Sequence, residues 1–275
     1  MPISIFPMKS WPNFLLTKIS KRKKFILSAF LLSLGFGVIE ISKIPWRYQA
    51  IFLLTVLTYF LVAWSLIDGL FGIEWFTVLI LPTLFTTSVG LFYFLLPGVW
   101  FTRVPVIILY GLGIYVLLLV GNIFSVAAIR TIQLLRSAQA VSFLLTLVTS
   151  FFLYDTVLSF RFMFWTNFLL VTLVSFPLVF QGLWSVNLEE KITPKLLFYT
   201  LGLSLVQGET VVAFSFWPVN VVIGSLALVT TLYISLGLAQ QHLAQRLFSR
   251  TVSEYFGVGA AVLLIIFLTT RWGGG

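Results

Sequence analysis

Apolar runs, each long enough to cross a bilayer, follow one another along almost the whole chain and are parted only by short clusters of charge, proline and glycine. A hydrocarbon core of about 30 Å takes about 20 predominantly apolar residues per helix, and every backbone polar group in it must be satisfied within its own segment. Cutting at the charges, prolines and glycines gives runs at 25–42, 48–67, 73–96, 104–129, 138–160, 162–186, 196–217, 219–239 and 255–270. The expected fold is therefore all-α: a polytopic transmembrane helical bundle of about nine spans, within a range of eight to ten. The narrowest junction is Phe160-Arg161-Phe162, where one arginine parts two runs and the turn must be very tight.

Composition agrees with this, since 60% hydrophobic and 9% charged residues leave too little polar surface for a soluble domain. The connections are too short to hold one. Residues 1–24 read as a short basic cytoplasmic tail and 25–272 as a single transmembrane domain, with 240–254 as a cytoplasmic amphipathic connection inside it. The run after Lys21-Arg22-Lys23-Lys24 is not followed by a small-x-small cleavage site, so it reads as an uncleaved first span.

The net charge of +9 lies almost entirely between the runs. With the amino terminus inside, Lys9, Lys18, Lys21, Arg22, Lys23, Lys24, Arg130, Arg136, Lys191, Lys195, Arg246 and Arg250 face the cytoplasm. Lys43, Arg47, Arg103, Arg161 and Arg271 lie outside. That asymmetry is what the positive-inside rule requires, and the opposite orientation inverts it. The excess thus marks orientation, not a nucleic-acid surface. Trp11, Trp46, Trp75, Trp100, Trp184, Trp217 and Trp272 stand at or near the run ends, where an indole buries its ring and hydrogen-bonds at head-group level.

Many chemistries are excluded. There is no cysteine and a single histidine, His242, so thiolate, disulfide, iron-sulfur and multi-histidine centres are ruled out. The chain has no Gly-Lys dipeptide for a P-loop, no Gly-x-Ser-x-Gly elbow and no His-Glu-x-x-His. No cofactor, metal site or nucleic-acid partner is expected, and no catalytic motif is recognisable. Pro82 and Pro177 do not fall at matching positions of their runs, so they read as ordinary kinks and not as the paired breaks of an inverted repeat.

The polar residue most out of place is Glu209, in Val206-Gln207-Gly208-Glu209-Thr210, past the middle of the seventh run. A central acidic residue costs about 3 kcal/mol even on lenient insertion scales, so the expectation is that it faces the bundle interior or a water-filled cavity. Two roles are open to it: a proton-binding or cation-binding carboxylate beside Gln207 and Thr210, or a carboxyl that only holds helices together. Glu40 and Asp155 stand near outer ends of the first and fifth runs, on the side of Lys43, Arg47, Arg103 and Arg161. Asn122, Asn167 and Gln181 read as hydrogen bonders between helices. Ser33-Leu-Gly-Phe-Gly37 and Gly257-Val-Gly-Ala-Ala261 place small residues four apart, which permits close helix crossing.

On the inner side, His242, Arg246, Arg250 and Glu254 recur every four residues and form one polar stripe of a helix beside Leu243 and Leu247. With Arg130 and Arg136, the residues His242, Arg246 and Arg250 are candidates for holding anionic head groups or a phosphorylated substrate. Asp68 and Glu74, and the adjacent Glu189 and Glu190, are the acids of the inner loops.

Three functions remain open: a transporter or permease-like protein with Glu209 in a wet cavity; a non-catalytic scaffold or subunit of a larger complex; and an enzyme on a lipid-linked phosphate. The expected partners are the bilayer, its anionic head groups at the inner face and membrane proteins of unspecified kind. Short loops and the lack of an Asn-x-Ser/Thr sequon suggest a prokaryotic plasma membrane.

Overall fold

The computed structural model describes residues 20–41, 46–97, 99–128 and 133–270. Among them the chain forms nine α-helices and no strand: α1 (Lys21–Ile41), α2 (Arg47–Leu66), α3 (Glu74–Tyr93), α4 (Trp100–Ala127), α5 (Leu135–Ser159), α6 (Phe164–Asn187), α7 (Pro194–Ser215), α8 (Val221–Leu243) and α9 (Ser249–Thr269). All nine are long and apolar enough to cross a membrane. The protein is a multi-pass integral membrane protein. Arg130, Lys43, Arg271, Trp11 and Trp272 lie outside the described residues, as does the tail through residue 19.

The tight junction between the fifth and sixth runs is a true turn. Arg161 adopts a left-handed backbone with φ 53°, and Asn167 reaches back to donate to the Phe162 carbonyl at 3.2 Å. Helix starts carry their own signals. Thr193 caps α7 by accepting from the Leu196 N–H at 3.4 Å, with Pro194 at the first helical position, and Asn220 caps α8 by accepting from Ile223 N–H at 2.8 Å. Within α3, which contains Pro82, the Thr83 hydroxyl donates to the carbonyls of Leu79 and Ile80.

Two expectations about boundaries need correction. Lys21 to Lys24 do not belong to a tail: they form the first turn of α1, and Lys24 is buried at 4% exposure with its ammonium 3.5 Å from Asp68 and 5.6 Å from the Trp64 ring centroid. Segment 240–254 is not one amphipathic helix. The α8 helix runs on to Leu243, Gln245 turns left-handed at φ 56°, and α9 starts at Ser249. The bilayer gives the reason: α8 must return to α9 through a reversal, and a continuous stripe leaves no place for one.

Helices α1 to α4 form one half of the bundle and α5 to α9 the other, joined where α5 meets α3 and α4 and where α3 meets α6. Hydroxyls stitch the first half: Ser28 to Ser65 at 2.8 Å, Thr58 to Thr86 at 3.1 Å and Thr86 to Tyr110 at 3.0 Å. In the second half Tyr154 meets Ser175 at 2.7 Å, Gln181 donates to Ser142 at 3.1 Å and Gln240 donates to the Gly182 carbonyl at 2.9 Å. Such bonds are the polar glue of helices that no hydrophobic force drives together in lipid. Below, the end of α1 at Lys21 and its equivalents are called inner, following the distribution of Lys and Arg.

Candidate functional site

The buried residues of α7 are Leu196, Thr200, Ser204, Gln207, Gly208 and Val211, a stripe of small and polar side chains three or four apart. Two neighbours occupy it. Toward α8, Gln207 in the amide orientation its surroundings favour donates to the Leu228 carbonyl and accepts from the Leu232 N–H, both at 3.0 Å. Toward α6, Gly208 lies so close to Thr172 and Phe168 that a Cβ there would run into the Thr172 hydroxyl and stand 2.9 Å from the Phe168 ring.

At about 100° per residue, position 209 then falls on neither packed side. Glu209 is exposed, in company with Leu201, Gly202, Leu205, Val206 and Ala213. The expectation that it faces the interior is overturned, because Gln207 and Gly208 claim the two contact faces. Nor do the three expected site residues converge: Gln207 serves α8, Glu209 points away from the bundle, and the Thr210 hydroxyl donates to its own helix at Val206 O, 2.7 Å away. The signal was present in the sequence. Thr200, Ser204, Gln207, Gly208 and Val211 make a helical stripe that Glu209 does not join.

At the inner end, Arg136 is exposed on the first turn of α5 and Arg246 is exposed in the turn after α8. His242 lies on the last turn of α8 with its ring 6.0 Å from that of Tyr199, and Arg250 pairs with Glu254 at 3.1 Å one turn along α9. These side chains share a side of the membrane, but among the described residues no hydrogen bond or ion pair joins them into one pocket. The inner acids separate as well. Asp68 faces Lys24, while the Glu189 carboxylate accepts from Thr193 at 2.9 Å and from Asn187 at 3.4 Å. Glu74 and Glu190 line a cavity of about 470 Å³ with Phe71, Gly72, Ile73 and Ala128.

The outer ends hold two arrangements that differ in kind. Asp155 accepts from the buried Ser225 of α8 at 3.1 Å and is a helix tie. Glu40 ends in the seam between α1 and α4, where Gly37 faces Ile107 and the Ser33 hydroxyl donates to Ile107 O at 3.0 Å. One turn above Ile107 is Arg103, which with Arg47 stands in the neighbourhood of Glu40. Tyr93 belongs to the same corner, its ring edge-on to Phe36 at 6.0 Å, and Arg47 lies over Phe94 at 4.8 Å. Glu40 Oε1, Tyr93 Oη and Arg103 Nε are buried with no hydrogen-bond partner among the described residues. Sequence reading paired these charges loosely and missed Tyr93, since nothing in an apolar run marks one tyrosine over another.

Comparison with curated proteins and with solved structures returns no match. Residues 34–269 match the family model described as "Protein of unknown function (DUF5656)", and this multi-pass membrane protein belongs to that family.

Proposed function

We propose that the protein is a non-catalytic membrane subunit that docks a transmembrane helix of another protein on the outer face of α7. One observation carries the reading: an acidic side chain, Glu209, on the outside of the bundle within the membrane span. Six residues separate it from the helix end at Ser215, about 9 Å at 1.5 Å per residue. A carboxyl facing acyl chains costs up to about 3 kcal/mol at a helix centre and less toward the ends. A partner helix bringing an amide, hydroxyl or basic side chain to that depth removes the penalty. A second copy of this chain placed face to face would set Glu209 against Glu209, which favours a different protein as the partner.

The rest of the face suits such docking. Gly202, two turns inward, has open space where its Cβ would stand, and so has Gly257 on α9. On α9, Ser253, Gly257 and Ala261 form an exposed small-residue stripe, while Gly259 is the one that packs internally, against Ile234. The α7 and α9 helices are tied at their outer ends by Trp217 donating to the Thr270 hydroxyl at 3.1 Å. A permease needs Glu209 beside an aqueous path, and an enzyme on a lipid-linked phosphate needs its arginines gathered; the outward carboxyl and the dispersed arginines favour neither. Arg136, Arg246 and Arg250 instead anchor the inner ends at anionic head groups, in what we take to be a prokaryotic plasma membrane.

The test is the size of the assembly extracted from native membranes in mild detergent. Wild type should migrate as a complex larger than one 31.1 kDa chain in its micelle, and Glu209→Leu should release that single chain. Equal migration of the two as single chains would refute the reading.

A further inference from the structure

We propose that the outer end of the α1/α4 seam is a binding site for a phospholipid whose head group carries both a phosphate and a primary ammonium. The site lies away from α7 and is independent of the docking role given to that helix.

The head-group end is built from Glu40, Tyr93, Arg103 and Arg47. Glu40 is 8% exposed and Tyr93 4%, and the polar atoms Glu40 Oε1, Tyr93 Oη and Arg103 Nε have no hydrogen-bond partner among the described residues, the Arg103 guanidinium lying 5.9 Å from the Trp100 ring centroid. Buried polar groups without a hydrogen bond are rare in folded proteins, and three around one corner mark a place where a polar ligand is received. Glu40 lies near both arginines but is in direct ion-pair contact with neither. Their chemistry specifies the ligand. A guanidinium with a free N–H matches a phosphate oxygen, and the buried carboxyl oxygen Oε1 of Glu40 is an acceptor that an N–H donor satisfies. An ethanolamine-type ammonium supplies that donor; a choline head, whose nitrogen bears no hydrogen, does not. Arg47, stacked over Phe94 and Tyr48 at 4.8 and 5.3 Å, holds a second cation at the rim.

The tail end is an open apolar groove of about 450 Å³ between the same two helices, lined by Ile26, Phe30, Ser33, Ile108, Gly111 and Tyr115 among others. Gly111 makes its floor: a Cβ there would stand 3.0 Å from the Ser33 hydroxyl. That hydroxyl is satisfied by the Ile107 carbonyl, so the walls ask for nothing polar. From Arg103 to Tyr115 the α4 helix descends about 18 Å, close to the thickness of one hydrocarbon leaflet of about 15 Å. Unpartnered polar atoms at the top and, from Ser33 and Ile108 inward, an apolar groove between the same two helices suit an amphiphile better than a free phosphate.

The experiment is lipid retention by native mass spectrometry after exchange of the purified, full-length protein into micelles carrying equal amounts of phosphatidylethanolamine, phosphatidylcholine and phosphatidylglycerol. Wild type should retain phosphatidylethanolamine preferentially. Arg103→Gln should lower retention about tenfold, the scale of one lost charge-assisted hydrogen bond, and Glu40→Gln should erase the preference for ethanolamine over choline while some lipid still binds. Leu112→Trp changes a side chain that is 55% exposed, so it leaves the helix packing alone while covering the groove, and it should lower retention of every lipid. Unchanged thermal unfolding of each variant confirms that the fold is intact. Equal retention of the three lipids by wild type, or protection by soluble phosphoethanolamine as large as that by the lipid, would overturn the proposal.

Discussion

Replacing Gly208 by alanine adds one methyl group where α6 and α7 lie closest. Its Cβ would collide with the Thr172 hydroxyl and stand 2.9 Å from Phe168, so one of the helices must shift or both side chains must leave their rotamers. Overpacking of this kind costs about 1–3 kcal/mol, and the gain in helix propensity from Gly to Ala returns at most about 1 kcal/mol. The net loss is about 1–2 kcal/mol, a fall of several degrees in the midpoint of thermal unfolding in detergent. The double variant Gly208→Ala with Thr172→Ala removes the hydroxyl in the way, which is itself buried without a hydrogen-bond partner among the described residues, and leaves only the Phe168 contact. Its destabilisation should be smaller than the sum of the single changes by about 1 kcal/mol. Strict additivity, or a Gly208→Ala protein as stable as wild type, would refute the α6/α7 contact on which the outward placement of Glu209 rests.

Gly202→Ala is the contrasting case: with open space around it, the change should leave the isolated protein as stable or up to about 1 kcal/mol more stable while weakening the extracted complex, read by unfolding and native electrophoresis respectively. Lys24 and Asp68 should respond asymmetrically. Asp68→Asn leaves a buried ammonium without its counter-ion and should cost about 3 kcal/mol, whereas Lys24→Met leaves an aspartate whose side chain is 51% exposed and should cost less than half as much. Arg161→Gly relieves a left-handed backbone and should stabilise the α5/α6 turn by up to about 1 kcal/mol, measured as a rise in the unfolding midpoint.

The spans were legible because hydropathy in a membrane protein reports directly on length, and each expected run overlaps one observed helix. Where ends differ, side-chain chemistry extends the helix past the apolar run. Lys24 continues α1 inward because Asp68 and Trp64 receive its ammonium, and α8 continues through Gln240 because that amide reaches the Gly182 carbonyl. The direction of Glu209 does not follow from its depth in the bilayer, because it is set by rotation about the helix axis. The small-polar stripe through Thr200, Ser204 and Gln207 held that information. Glu40 and Arg103 were each visible as charges at an outer end, but α1 and α4 are neighbours only in space, and no spacing along the chain announces that Tyr93 joins them. Gln181 behaves as expected by donating to Ser142 of α5, while Asn167 instead ties the turn beside its own helix.

The central claim is that the outer face of α7 is covered by another protein. It is tested most directly by placing a photoreactive amino acid at position 209 and, as a control, at position 52, where Phe52 of α2 is 67% exposed about as far from its own outer helix end. After irradiation of native membranes, position 209 should yield one discrete adduct with a second, different polypeptide, while position 52 yields lipid adducts alone. Lipid adducts alone from both positions would mean that Glu209 meets acyl chains, and the docking account would be wrong.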